Sequence, residues 1–267
     1  MSAGDQYDRL VTFVEDEMGF ATSHYNDSYL QRRLASRMRR TGCESYDDYL
    51  GALRGDPEEQ QALLDALSIN VTGFFRNEDV WDGIRDVLRE LTDESGQTSV
   101  WSAACADGRE PYSLSMLAAD DPRIDESSVS VLATDINDAA LAAARKGVYE
   151  SSRTVDIDEQ LSYLSNYHRF VDRSGDTFAV RDEVKRRVAF ERHDLINDGP
   201  KEGFDLVVCR NLFIYIDDEY KEPILRTVGR SLRPDGYLVI GKAETIPPQL
   251  KSAFAVQDGR LRIYRRD

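Results

Sequence analysis

The sequence predicts an α/β protein: a doubly wound, mostly parallel sheet, preceded by an all-helical domain and interrupted by a small β-containing insert. Three observations predict it. Through residues 1–68, apolar residues recur at helical spacing. From residue 99 onward, short β runs alternate with helical stretches, the pattern of a parallel sheet with crossover helices. Between about 148 and 187 the alternation breaks and hairpin signals take over.

Each element has its own justification. Tyr7, Leu10, Val11 and Val14 fall on one face of a first helix. Tyr29, Leu30, Leu34 and Met38 mark a second, closed by Gly42 as a C-cap or turn. Tyr46, Tyr49, Leu50 and Leu53 give a short third, and Pro57 opens a fourth with Leu63, Leu64 and Leu67. Residues 71–98 read as a linker. Then come a β run at 99–104, a helix at 111–120, a β run at 128–135 and a helix at 137–147 with Asn137 as N-cap. Ser174-Gly175-Asp176 reads as the hairpin turn of the insert, and 188–195 returns to the main sheet. A buried strand at 204–211 and a helix at 218–232 follow, broken by Arg233-Pro234-Asp235-Gly236. Strands at 237–244 and 259–266 add an antiparallel edge. The predicted domains are 1–70, the linker 71–98, and 99–267.

Composition narrows the function. The chain has 267 residues, with 49 acidic against 34 basic, a net charge of −15. That surplus argues against nucleic-acid binding, which rests on neutralising phosphates, and against a polybasic membrane-surface protein. No apolar run approaches the roughly 18 residues of a membrane span, and the N-terminus lacks a signal-peptide pattern. Three scattered cysteines give no disulfide framework, and three histidines lack metal-ligand spacing. A cytoplasmic monomer without metal is expected. Only 6 of the basic residues are Lys and 31 of the acidic ones are Asp, a balance expected of a halophile's cytoplasm.

In an open α/β sheet the ligand binds beyond the carboxyl ends of the strands. The loop after the first predicted strand, residues 104–111, holds a single glycine, so the phosphate cradle of a dinucleotide site is absent. Gly108 there predicts close backbone approach by a ligand. Asp135, ending the second strand, is placed to accept hydrogen bonds from ribose hydroxyls; the alternative is a helix N-terminal cap. Asp194-Leu195 and Arg210-Asn211 stand at two further strand ends. A nucleoside ligand without phosphates on such a sheet points to S-adenosylmethionine.

Six segments then carry a resemblance: INVTGFFRNEDVW (69–81), WSAACADGREPYSLSM (101–116), LATDIN (132–137), ARKGVY (144–149), FDLVVCRNLFIYID (204–217) and LRPDGYLVIGKAE (232–244). In this order they resemble the CheR-type chemotaxis receptor methyltransferases over nearly the whole chain. The resemblance implies a protein-glutamate O-methyltransferase on a Rossmann-like sheet, using S-adenosylmethionine and releasing S-adenosylhomocysteine. It implies that Asn70, Thr72 and Arg76 reach over the cofactor, with Arg76 facing the methionine carboxylate. It implies Glu110 for the methionine amine, Asp135 for the ribose, Asp194 and Leu195 on the adenine side, and Arg210 and Asn211 as a floor. Tyr215, counted as one helical turn after Asn211, is either part of the methyl-transfer region or a core or hinge aromatic.

The implied partners are chemotaxis receptors, with glutamate-rich helices. Arg32, Arg33, Arg37, Arg39 and Arg40 form a basic island suited to docking them, or else a solvated helix face. In some relatives an insert of this kind tethers a receptor's C-terminal peptide. Two departures stand out. Ala106-Asp107-Gly108-Arg109-Glu110 stands where the family commonly has Ser-Thr-Gly-Glu-Glu or Ser-Thr-Gly-Gln-Glu, and Lys242-Ala243-Glu244 where it often has His-Ser-Glu. They support the alternative of a catalytically weak, cofactor-binding scaffold.

Overall fold

A computed structural model describes residues 2–67, 72–94 and 96–267. It divides into two units, Met1–Ile69 with Phe213–Lys221, and Asn70–Leu212 with Glu222–Asp267.

The first unit contains α1 (Ala3–Asp16), α2 (Asp27–Thr41), α3 (Tyr46–Gly55) and α4 (Pro57–Leu67). Local chemistry sets its boundaries. Ser2 with Asp5, and Ser45 with Asp48, form reciprocal capping boxes, while the Asn26 side chain accepts from Tyr29 N. Gly42 takes φ 73° and closes α2 as predicted. The core joins Leu10, Val14, Tyr29, Leu30, Leu34, Tyr49, Leu50, Leu53, Leu63 and Leu67. One polar group lies inside it. Glu59 accepts from Tyr49 Oη at 2.5 Å and from Arg37 Nε at 3.0 Å.

The second unit begins with α5 (Glu78–Glu94), so the expected linker is mostly helix. Val80, Trp81, Ile84, Val87, Leu88 and Leu91 bury one face of it in the core of this unit. Then follow β1 (Thr98–Ala103), α6 (Arg109–Asp120), β2 (Val129–Asp135) and α7 (Asp138–Lys146). The insert holds β3 (Val148–Glu150), α8 (Ile157–Leu161), β4 (Val171–Ser174), β5 (Thr177–Val180) and α9 (Asp182–Lys185). The chain returns through β6 (Val188–Arg192), β7 (Phe204–Cys209), α10 (Asp218–Ser231), β8 (Leu232–Ile240), β9 (Phe254–Asp258) and β10 (Ile263–Arg266).

The main sheet has the order β6-β2-β1-β7-β8-β10-β9; its first five strands pair in parallel and β10 pairs antiparallel to both neighbours. The insert carries its own antiparallel sheet, β3-β5-β4, with Gly175 at φ 61° in the hairpin turn. Two expectations are corrected. Arg233–Gly236 does not separate helix from strand but lies inside β8 as an irregularity, where pairing with β7 shifts from Phe204↔Leu232 to Leu206↔Tyr237. The edge strand β9 was not foreseen.

Candidate functional site

Strand order reverses on either side of β1, between β2 and β7, and the loops at their carboxyl ends meet there. The loop after β1 is wound into left-handed backbone. Ala104, Ala106 and Gly108 have φ of 58°, 50° and 90°. For the two alanines such a conformation costs about 1–3 kcal/mol and must be held from outside. Cys105 N donates to Thr134 O, and Ala106 N to Asp135 Oδ2, both at 2.8 Å. Asp135 Oδ1 accepts from Asn137 N at 2.9 Å. Asp135 therefore braces the loop against the end of β2, and each oxygen keeps a further lone pair for a ligand. Removal from water raises its pKa, opposed by those backbone N–H groups. The helix-capping alternative falls to Asn137, whose side chain accepts from Ala140 N at 3.0 Å.

Gly108 has a structural reason besides the expected approach of a ligand. A Cβ on it would lie 2.8 Å from the Ala144 Cβ of α7. Helix packing and the positive φ require the glycine, with no ligand needed to account for it.

The segment 72–77 is irregular and anchored by its aromatic pair. Phe74 and Phe75 are buried. Phe75 stacks on Tyr163 at 4.7 Å and meets Trp81 edge-on at 5.3 Å. Phe74 N donates to Gln160 Oε1, and Phe75 N to Ser113 Oγ. Phe75 and Asn77 have φ of 46° and 62°, a conformation that Asn tolerates and a bulky Phe avoids. Arg76 sits between them, partly exposed, with its carbonyl accepting from Trp81 Nε1 at 3.0 Å and Arg210 Nη2 at 2.8 Å. Asn70 lies outside the described residues.

Arg210 and Glu110 form the polar floor. The Arg210 guanidinium is buried over the Trp81 ring; it bonds Asn77 Oδ1 at 3.2 Å and lies 3.6 Å from Glu110 Oε2. Its Nε is buried and has no partner among the described residues. Glu110 Oε1 accepts from Ser102 Oγ at 2.9 Å. Burial pushes the Glu110 carboxyl up to about 7, with Arg210 and the Ser102 hydrogen bond opposing and Glu244 adding to it. Asn211, at φ 61°, donates its N–H to Glu244 Oε2, which Gly241 N also reaches at 2.6 Å. Ser102, Asp107 and Glu244 were not singled out from the sequence as site residues. Ser102 stands on β1, and Asp107 and Glu244 lie in the loops after β1 and β8, within the motif segments at 101–116 and 232–244.

Asp194 caps its own turn: Oδ1 accepts from Ile196 N and Asn197 N, and Oδ2 from Asn197 Nδ2. Leu195 is buried beside it. Tyr215 is not one helical turn from Asn211, because 211–217 is not helical. Its ring lies 5.0 Å from that of Tyr29 and packs on the helical core, the core-aromatic alternative. The arginines of α2 also divide. Arg32, Arg39 and Arg40 are exposed, whereas Arg37 is paired with Glu59 and Arg33 lies over the Tyr29 ring.

Both departures from the expected motif have partners. Arg109 Nε and Nη2 bond Asp107 Oδ2 at 3.1 and 2.8 Å, and Nη1 bonds Thr72 O at 3.1 Å. Lys242 Nζ bonds Asp79 Oδ2, at the start of α5, at 2.7 Å.

The sequence profile of the CheR methyltransferase all-alpha domain matches residues 5–68, and that of the SAM binding domain matches residues 70–263. The chain belongs to the CheR methyltransferase family. The chemotaxis protein methyltransferase of Listeria monocytogenes is 34% identical over 235 residues, spanning 87% of each chain. That of Salmonella typhimurium is 31% identical over 246 residues, covering 88% of this chain and 82% of the relative. Chemotaxis protein methyltransferase 1 of Pseudomonas aeruginosa is 30% identical over 257 residues, 92% of each.

The residues present fit the CheR cofactor, S-adenosylmethionine. Two carboxylates with open lone pairs suit ribose hydroxyls and an ammonium, and the unpaired Arg210 Nε leaves a buried donor still to be satisfied.

Proposed function

We propose that this enzyme transfers the methyl group of S-adenosylmethionine to glutamate side chains of chemotaxis receptors, as a monomer in a salt-rich cytoplasm. The observation that carries the reading is the joint match of the helical and the cofactor domains, 5–68 and 70–263, to one methyltransferase family.

Asp135 would hold the ribose, and Glu110 the methionine amine. Asn70, Thr72 and Arg76 would reach over the cofactor, with Arg76 facing the carboxylate, where a guanidinium pairs bidentately. Asp194 and Leu195 would flank the adenine, Arg210 and Asn211 would form the floor, and the ligand would pass close to the Gly108 backbone. When bound, the cofactor supplies a methyl group on a sulfonium, a leaving group good enough for an ionised carboxylate to displace. A glutamate with a pKa near 4.3 is ionised at neutral pH, so the protein's own groups need not remove a proton. Their task is alignment and exclusion of water. Exposed Arg32, Arg39 and Arg40 offer the acidic receptor a docking face. The scaffold alternative loses its support, since Arg109 and Lys242 are engaged with Asp107, Thr72 and Asp79.

Incubation with methyl-labelled S-adenosylmethionine and receptor-containing membranes tests the proposal. Base-labile label on receptor glutamates is the expected result. Cofactor binding without transfer to any receptor would overturn it.

A further inference from the structure

Arg109, the first residue of α6 after the β1 loop, reaches out to the segment 72–77. Its guanidinium is held from three sides. Asp107 Oδ2 takes Nε and Nη2 in a fork, the Tyr149 ring lies under it at 5.4 Å, and Nη1 is left aimed at the Thr72 carbonyl. Asp107 is fixed in turn, because its own carbonyl accepts from Tyr149 Oη at 2.7 Å. Both charged side chains are largely shielded, at 15% and 17% exposure, so the pair is a built feature and not a chance surface contact.

Arg109 has company. Two cations from two strand ends grip this short segment, and a third holds the first turn of the helix that follows it. Arg109 after β1 holds the carbonyl of Thr72, Arg210 after β7 holds the carbonyl of Arg76 and the side chain of Asn77, and Lys242 after β8 holds Asp79. The segment needs such a grip because Phe75 and Asn77 are in left-handed backbone that relaxes if released. A flexible 72–77 would also have to be ordered each time a ligand bound, which weakens affinity.

We propose that Arg109 is a positioning residue: through the Thr72 carbonyl it pre-orders the segment that carries Arg76, while Asp107 cancels its charge so that a cation is tolerated beside a sulfonium ligand. This rests on the cofactor site described above, but adds two residues with distinct roles. Arg109 acts on order and Asp107 on charge. Their removal therefore has different signatures. Losing the order weakens every ligand of the site. Losing the compensating charge penalises a positively charged ligand and spares a neutral one.

S-adenosylmethionine, with its sulfonium, and S-adenosylhomocysteine, with a neutral thioether, separate the two. Calorimetry on the full chain would compare both ligands in wild type, Arg109→Gln and Asp107→Asn, with hydrogen exchange of residues 73–76 in the ligand-free protein. Arg109→Gln is expected to weaken S-adenosylhomocysteine by about tenfold, the worth of one hydrogen bond from a charged group, and S-adenosylmethionine by less, because the Asp107 carboxylate it leaves uncompensated favours a cation. It should also speed exchange at 73–76. Asp107→Asn is expected to weaken S-adenosylmethionine several-fold more than S-adenosylhomocysteine, a gap that closes in molar salt. Unchanged affinities and exchange in Arg109→Gln would overturn the positioning role, and equal effects of Asp107→Asn on both ligands would overturn the charge role. Failure of the wild type to bind either ligand would instead overturn the cofactor site itself.

Discussion

The helical unit and the strand-end site use polar side chains on different scales. In the first, Ser2, Asn26 and Ser45 bond backbone groups three residues away. In the second, Asp135 reaches back to Ala106, Arg109 to Thr72 and Arg210 to Arg76. The local bonds end helices and can be read from four-residue windows. The long bonds hold left-handed loops in place, and no window contains both partners. Order at the site is therefore a product of the sheet's topology, whereas order at the helix ends is a product of neighbouring residues.

Exceptions exist within the helical unit, where Tyr29 Oη donates to Leu67 O and Asn26 Nδ2 to Ile214 O, and Glu59 among them offers the largest break in the comparison. It bridges α2, α3 and α4 through Arg37 and Tyr49. Glu59→Ala leaves a shielded guanidinium and a buried phenol without their acceptor. A loss of about 3–5 kcal/mol in denaturant unfolding is expected, with ligand affinity preserved. A loss under 1 kcal/mol would mean that this pair is no more than a surface contact.

The next largest effect belongs to the site. Asp135→Ala removes a brace as well as a ligand group, so Ala106 N and Asn137 N lose their acceptor together. Cofactor affinity is expected to fall by about 1–3 kcal/mol. Hydrogen exchange at 104–108 should rise in the ligand-free protein. Weaker binding with an unaltered loop would show that Asp135 is a ligand group alone.

These two residues also show what was legible. Asp135 stands out because it ends an obvious β run, and its double duty does not, since Ala106 is far away in sequence. The helix at 78–94 was open to reading: Val80, Trp81, Ile84, Val87, Leu88 and Leu91 keep helical spacing. The irregular motif that opens this stretch, at 69–81, masks the periodicity that follows. β9 had only Phe254 and Val256 to mark it, too few alternating residues to signal an edge strand. Tyr215 was misplaced by counting a helical turn through 211–217, where the chain is not helical. The packing of Gly108 against Ala144 is invisible without the fold.

Acidity gives a smaller, graded test. The Glu110 carboxyl is pushed up to about 7 by burial. In the ligand-free protein the folded state thus keeps a proton that the unfolded chain releases near 4.5, and this group's contribution to stability falls as pH rises from 4.5 to 7. A cofactor ammonium favours the ionised form, so affinity should rise with pH by up to about tenfold per unit below 7 and then level. Glu110→Gln should flatten that profile. A profile unchanged by the substitution would assign the titration to another group.

The smallest expected effect is spread over the surface, and it separates the units by charge. The helical unit carries 16 acidic against 8 basic residues, and the sheet unit 33 against 26. The smaller unit thus holds a net −8 and the larger −7. Self-repulsion is denser in the helices, while in the sheet unit acids and bases nearly balance. Molar salt shortens the screening length to about 3 Å, which relieves repulsion between spaced charges and leaves contact pairs such as Arg37–Glu59 in place. Raising KCl from about 0.1 to 2 M should therefore stabilise the protein. The gain should be larger in hydrogen-exchange protection of α1–α4 than of β1, β2 and β7. Receptor docking through Arg32, Arg39 and Arg40 loses its long-range attraction under the same conditions, so methylation at high salt should depend on close arginine–carboxylate contact. Equal protection gains in both units would break the charge comparison. Highest stability near 0.1 M would refute the adaptation to salt and leave the methyltransferase assignment untouched.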